Sequence, residues 1–106
     1  MTFGKLIAEA RKKAGLSQKD LASKIKKEDG NPISAQYLND IEHDRRNPPS
    51  EVLNAQFAKE LKLPTEYLVL AAGSLPRELQ KTLSSLNPEK VDRAFTAFRK
   101  TIKKEE

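Results

Sequence analysis

Ala35, Gln36 and Asn39 stand at the start of a short helical stretch, SAQYLNDIE, for which Ser34 is a suitable N-cap. An amide side chain can make paired hydrogen bonds to a base edge, as to adenine N6 and N7, and an alanine can pack on a thymine methyl. Leu38 and Ile41 lie three apart on the inward face, which leaves Ala35, Gln36 and Asn39 pointing outward. A groove-binding helix brings this N-terminal end to the bases. Just beyond it, Arg45, Arg46 and Asn47 precede Pro48-Pro49, close to where a duplex backbone would pass. One of the two arginines is expected on a phosphate and the other on Asp44 or Glu42.

Other chemistry finds little material. His43 is the single histidine and there is no cysteine, so no metal set and no thiolate or disulfide chemistry can be assembled. Asp40 and Asp44, one helical turn apart, could bind a proton or cation in principle, but no pocket-forming pattern surrounds them and they read as exposed helix charges. The four glycines are scattered at 4, 15, 30 and 73, which leaves no phosphate loop. Ser17 and Ser34 are better explained as helix caps than as nucleophiles. The expectation is a protein that is not an enzyme and takes no metal or cofactor.

The elements that must position these residues are short helices. The first runs from about Thr2 to Ala14, with Phe3, Leu6, Ile7, Ala10 and Ala14 on one face. Gly15 stops it in a left-handed conformation, and Arg11, Lys12 and Lys13 in its last turn suit the helix dipole or a phosphate contact. Ser17 then caps a second helix, Asp20 can close a capping box, and Leu16 with Leu21 forms a hydrophobic staple. Leu21, Ala22 and Ile25 share its inner face. Two short helices joined by a turn, the second exposing amides, are the layout of a helix-turn-helix.

The residues LSQKDLA at 16–22, ISAQYLNDIE at 33–42 and RRNP at 45–48 resemble the Xre/Cro/C1-like family of bacterial and phage DNA-binding regulators. The resemblance extends from Phe3 to roughly Leu70. It implies an all-α, five-helix lambda-repressor-like domain and places Gln18 against the DNA backbone, where its amide can also brace the reading helix. Ser34 and Tyr37 complete the expected backbone-contacting set with Arg45, Arg46 and Asn47. One departure is the connection: Lys26 to Ile33, with Asp29-Gly30-Asn31-Pro32 as turn chemistry, is longer than the usual tight turn. It is expected to be a solvated loop rather than one that contacts DNA.

Downstream, Ser50 caps a helix with Val52, Leu53, Phe57 and Leu61 as its buried stripe. Thr65 is placed to cap another that ends at Gly73, with Tyr67, Leu68 and Ala71 inward. Residues 1–73 are thus expected to form the DNA-binding domain and 74–106 a C-terminal helical extension. In the extension, Pro76 opens one helix with Leu79, Leu83 and Leu86. Asn87-Pro88 starts a second with Val91, Ala94, Phe95, Phe98 and Ile102 in one band, and Lys103 to Glu106 fray. Leu79, Leu83, Val91, Phe95, Phe98 and Ile102 either fold back on the subunit or meet a second copy; the dimer is favoured because such readers commonly work as symmetric pairs.

At 106 residues with 20 Lys and Arg against 15 Asp and Glu, the net charge of +5 suits an anionic partner without requiring one. The excess is spread evenly: ten basic and seven acidic side chains in 1–50, ten and eight in 51–106. No apolar run approaches the roughly 18 residues of a membrane helix. Lys5, Glu9 and Arg11 interrupt any signal-peptide core. A cytoplasmic, sequence-specific regulator of transcription is expected, most simply a homodimeric repressor on double-stranded DNA with an inverted-repeat operator. The alternative is an antitoxin with a protein toxin as partner, which the lack of a disordered toxin-wrapping tail disfavours.

Overall fold

The computed structural model describes residues 2–106, and all their regular elements are helices. In chain order these are α1 (Phe3–Lys13), α2 (Gln18–Lys24), α3 (Ala35–Glu42), α4 (Glu51–Leu61), α5 (Thr65–Ala71), α6 (Arg77–Ser84) and α7 (Pro88–Glu105). They divide into two compact units, the first extending to Ser74 and the second spanning Leu75–Glu106.

The first unit contains the five-helix domain. Its core is Phe3 and Ile7 of α1, Leu21 and Ala22 of α2, Leu38 and Ile41 of α3, Phe57, Ala58 and Leu61 of α4, and Leu68 of α5, together with Ile25 and Ile33. Apolar residues at three- and four-residue spacing place one stripe of each helix inward. Four expected inward positions are exposed instead. Ala14 lies past the end of α1, as its C-cap. In α4 the inner face is Asn54, Phe57, Ala58 and Leu61, spaced three, one and three, which turns Val52 to solvent at 54% exposure. In α5 Leu68 and Val69 are buried, so the adjoining stripe of Tyr67 and Ala71 is exposed. Pro64 holds the N-cap position there and Thr65 is the first helical residue, with no side-chain cap.

Gly4 fixes how closely α1 approaches the end of α3. A methyl group at this position would press on the Ile41 carbonyl and lie 2.7 Å from both the Glu42 carbonyl oxygen and Asp44 Oδ1. Into this space the Asp44 carboxylate accepts hydrogen bonds from the Gly4 backbone N–H at 2.9 Å and the Thr2 hydroxyl at 2.6 Å. The Thr2 hydroxyl, then the Gly4 N–H, hold the Asp44 carboxyl below the usual carboxylate range. Asp44 itself has a φ of 57°, which ends α3 in a left-handed residue and turns the chain back toward α1.

The long connection between α2 and α3 is exposed and folded. Ile25 and Ile33 at its two ends are buried and joined by an Ile33 N–H to Ile25 carbonyl bond of 2.9 Å. Between them Lys26 and Pro32 form an isolated antiparallel bridge, and Lys27 donates its N–H to Asn31. Gly30, at φ 86°, makes the tight corner, where an L side chain would be strained. Gln56 of α4 clamps the base of the loop with both ends of its amide: Oε1 accepts from Lys26 N–H at 2.7 Å and Nε2 donates to the Lys26 carbonyl at 2.8 Å. A longer loop costs little when its ends are anchored this way.

The second unit is a pair of helices, α6 and α7. Asn87 caps α7 through Lys90 N–H, with Pro88 in the first turn. Its regular structure continues to Glu105. No residue of either helix is buried. Leu75, Leu79, Leu83, Leu86, Phe95 and Phe98 line an open apolar trough of about 320 Å³. Among the described residues, no helix is long and apolar enough to cross a membrane.

Candidate nucleic-acid interface

Both helices of the central pair start on well-made caps. Ser17 Oγ accepts from Asp20 N–H at 3.0 Å while the Asp20 carboxylate accepts from Ser17 N–H at 3.2 Å, the capping box expected from the sequence. The Ser17 hydroxyl is the chief cause that lowers the Asp20 pKa. Ser34 Oγ accepts from Tyr37 N–H at 3.0 Å and opens α3. These caps fix where each helix begins, and therefore which side chains point out.

Behind α3 lies a buried polar network. Arg11 of α1 makes a two-pronged contact with Glu42, Nε to Oε2 at 2.7 Å and a terminal nitrogen to Oε1 at 3.0 Å. Its other terminal nitrogen donates to the Leu16 carbonyl at 2.8 Å. The Glu42 side chain is 3% exposed and the Arg11 side chain 11%. Bonding to Glu42 raises the guanidinium pKa above its ordinary value. Gln18, at the head of α2, donates from Nε2 to Glu42 Oε1 at 3.0 Å and to Asn39 Oδ1 at 3.1 Å. A carboxylate only accepts, so Glu42 determines which end of the Gln18 amide faces it. Gln18 in turn selects the oxygen end of Asn39, and the Asn39 NH₂ is the end available to an outside partner. Gln18 therefore braces α3 with its donor end.

The outward face of α3 carries Ala35 and Gln36, both exposed, with Tyr37, Asn39 and Asp40 half-buried. Gln36 Nε2 donates to Asp40 Oδ1 at 3.0 Å. Arg45 and Arg46 follow the helix, but their partner differs from the expected Asp44 or Glu42. Both approach Asp40, at 3.6 Å and 3.7 Å, because Glu42 is taken by Arg11 and Asp44 by the start of α1. The Arg46 guanidinium also lies over the Tyr37 ring, 4.9 Å from its centre. Tyr37, Asp44, Arg45, Arg46 and Asn47 line a shallow surface pocket of about 500 Å³. The structure thus gathers Ala35, Gln36, Asn39, Ser34, Tyr37, Arg45, Arg46 and Asn47 on or beside one helix, and places Gln18 against its flank. His43 caps the C-terminus of α3 with Nδ1 2.8 Å from the Asn39 carbonyl oxygen.

Sequence reasoning missed Arg11 as the partner of Glu42, and Asp40 as the partner of Arg45 and Arg46. A signal was present for the first pairing. Arg11 continues the Phe3 and Ile7 spacing of four on the inner face of α1, and Glu42 lies four residues after Leu38 on that of α3. Charges on two inward stripes call for each other.

A capped helix with an amide-rich outer face, braced from behind by a second helix and followed by paired arginines, is a helix-turn-helix DNA-binding module. A family model described as helix-turn-helix domain matches residues 4–74. The chain belongs to this family. Searches of curated proteins and of solved structures gave no match.

Proposed function

We propose that this protein is a transcription regulator of the Xre/Cro/C1 type, a repressor that binds an inverted-repeat operator as a homodimer. In this reading α3 enters the major groove, Gln36 and Asn39 read base edges and Ala35 packs on a thymine methyl. Gln18, Ser34, Tyr37, Arg45, Arg46 and Asn47 set the helix against the backbone. The chain acts in the cytoplasm by binding, without catalysis. The observation that carries the reading is the fixed orientation of the Asn39 and Gln18 amides behind an exposed Gln36, since base readout needs donors and acceptors held in place. Asn39, presenting NH₂, suits an acceptor such as a purine N7 or a phosphate oxygen.

The dimer is supported by the second unit. Val91, Phe95, Phe98 and Ile102 repeat at four, three and four, a heptad seam that reads the same from either end. Leu79, Phe95, Phe98 and Ile102 are 37–58% exposed in the single chain, while Leu83 and Val91 are half-buried. The same exposed band favours the second reading, an antitoxin whose α6–α7 trough takes a protein toxin. The palindromic spacing fits a second copy better.

Binding selection from randomised duplexes tests the function. A recurrent inverted repeat is expected, with half-sites about 34 Å apart along the duplex; a fraction without sequence preference overturns the reading. Gln36→Ala is expected to cost about 1–3 kcal/mol at one base position and to relax preference there. An equal loss on every sequence would show that Gln36 does not read. Arg45→Ala or Arg46→Ala is expected to weaken all duplexes alike and to flatten the salt slope by about one unit. Unchanged slopes in both variants would remove the arginines from the backbone set.

A further inference from the structure

One carboxylate holds three of the groups proposed to meet DNA. Asp40 Oδ1 accepts from Gln36 at 3.0 Å and lies 3.6 Å from the nearest Arg45 guanidinium nitrogen, and Oδ2 lies 3.7 Å from Arg46 Nε. The Asp40 side chain is 21% exposed, against 60% and 55% for the two arginines, so it sits beneath them with its charge toward the same face. We infer that Asp40 is a specificity-determining residue, holding the Gln36 amide in its reading orientation and occupying Arg45 and Arg46 until a duplex takes its place as their partner. The inference rests on the reading that α3 faces DNA.

Two kinds of duplex differ in what they offer Asp40. On any duplex, phosphates compete with Asp40 for the arginines. An arginine that leaves for a phosphate exposes a carboxylate to a surface carrying one negative charge per roughly 1.7 Å of helix axis. That repulsion weakens binding to every sequence. A duplex that places an exocyclic amino group, cytosine N4 or adenine N6, opposite Asp40 gives the carboxylate a donor in place of the arginines. Only there is the loss recovered, so the carboxylate discriminates by penalising wrong partners. Asp40 also settles the Gln36 amide. Because the carboxylate only accepts, Nε2 must face it, which leaves Oε1 and the second N–H of Nε2 for a base.

The test uses the full chain, with wild type, Asp40→Asn, Asp40→Ala and, as a control, Glu66→Gln, which removes an exposed carboxylate on α5. Affinity is measured across a salt series for random-sequence duplex and for the tightest selected duplex, with thermal unfolding to show that the variants fold. Asp40→Asn is expected to tighten random-duplex binding by roughly fivefold, the scale of one or two exposed ion pairs. It is also expected to steepen the salt slope and to narrow the ratio between selected and random duplex. Asp40→Ala should do the same and Glu66→Gln should not. If wild type binds selectively while both Asp40 variants keep its random-duplex affinity and its ratio, the inference fails and the reading of α3 stands. Equal tightening by Glu66→Gln reduces the effect to net charge and overturns the role of Asp40. If wild type binds no duplex at all, the reading of α3 fails and takes this inference with it.

Discussion

Glu42→Ala is expected to destabilise the first unit by about 3 kcal/mol, the low end for breaking a buried ion pair by removing one partner. The low end applies because the Arg11 guanidinium keeps its bond to the Leu16 carbonyl and, at 11% exposure, has a path to water. Urea unfolding followed by circular dichroism measures the loss. A double-mutant cycle with Arg11→Ala isolates the pair: the double variant should lose much less than the sum of the single variants, since neither charge is then left buried alone. Additive losses would show that the pair does not act as a unit. The same substitution reaches the proposed reading face. Without the Glu42 carboxylate nothing selects the donor end of Gln18, and Asn39 is no longer held by its oxygen. Under conditions where Glu42→Ala is still folded, its binding preference should therefore relax at the base Asn39 meets and stay intact at the base Gln36 meets.

The legible parts of the fold were those that depend on local rules. Capping at Ser17, Ser34, Ser50 and Asn87, the left-handed stop at Gly15, and the inner stripes of α2 and α3 follow from residue type and spacing over one or two turns. The family match over residues 4–74 agrees with the helix-turn-helix read from 16–48. What the sequence hid depends on partners far along the chain. Arg11 reads as a helix-dipole charge because Glu42 is 31 residues away. Asp44 reads as an exposed charge because Thr2 and Gly4 are some forty residues upstream, at separations of 42 and 40. Gln56 shows no sign in the sequence that it clamps Lys26, and so the long connection reads only as a solvated loop with a turn in it. The errors at Val52 and Tyr67 have another origin. A helix that offers two adjoining apolar stripes does not say which one faces the core, and in α4 it is a polar residue, Asn54, that occupies the inner face.

In the proposed dimer, Phe95→Asp is expected to separate the two copies and leave a monomer. The physical case begins with α6 and α7 having no buried residue in the single chain. Two helices alone bury too little apolar surface to offset the entropy of ordering them. A second copy laid along the Val91, Phe95, Phe98 and Ile102 seam would complete a four-helix arrangement and cover Leu79 and Leu83 with it. Antiparallel pairing sets Val91 against Ile102 of the second copy and Phe95 against its Phe98, and the two-fold axis repeats each contact. A carboxylate at Phe95 would then be desolvated twice, once in each copy. Sedimentation should show the variant as a monomer, and circular dichroism should show the first unit still folded, because its core includes no residue of α6 or α7. Binding to the full inverted repeat should fall by about 10²-fold or more as the linked half-site is lost, while binding to a single half-site should change little. Phe98→Asp should behave alike. A wild type that sediments as a monomer at concentrations saturating its operator would end the dimer, and equal losses on half-site and full site would assign Phe95 to folding of the subunit instead.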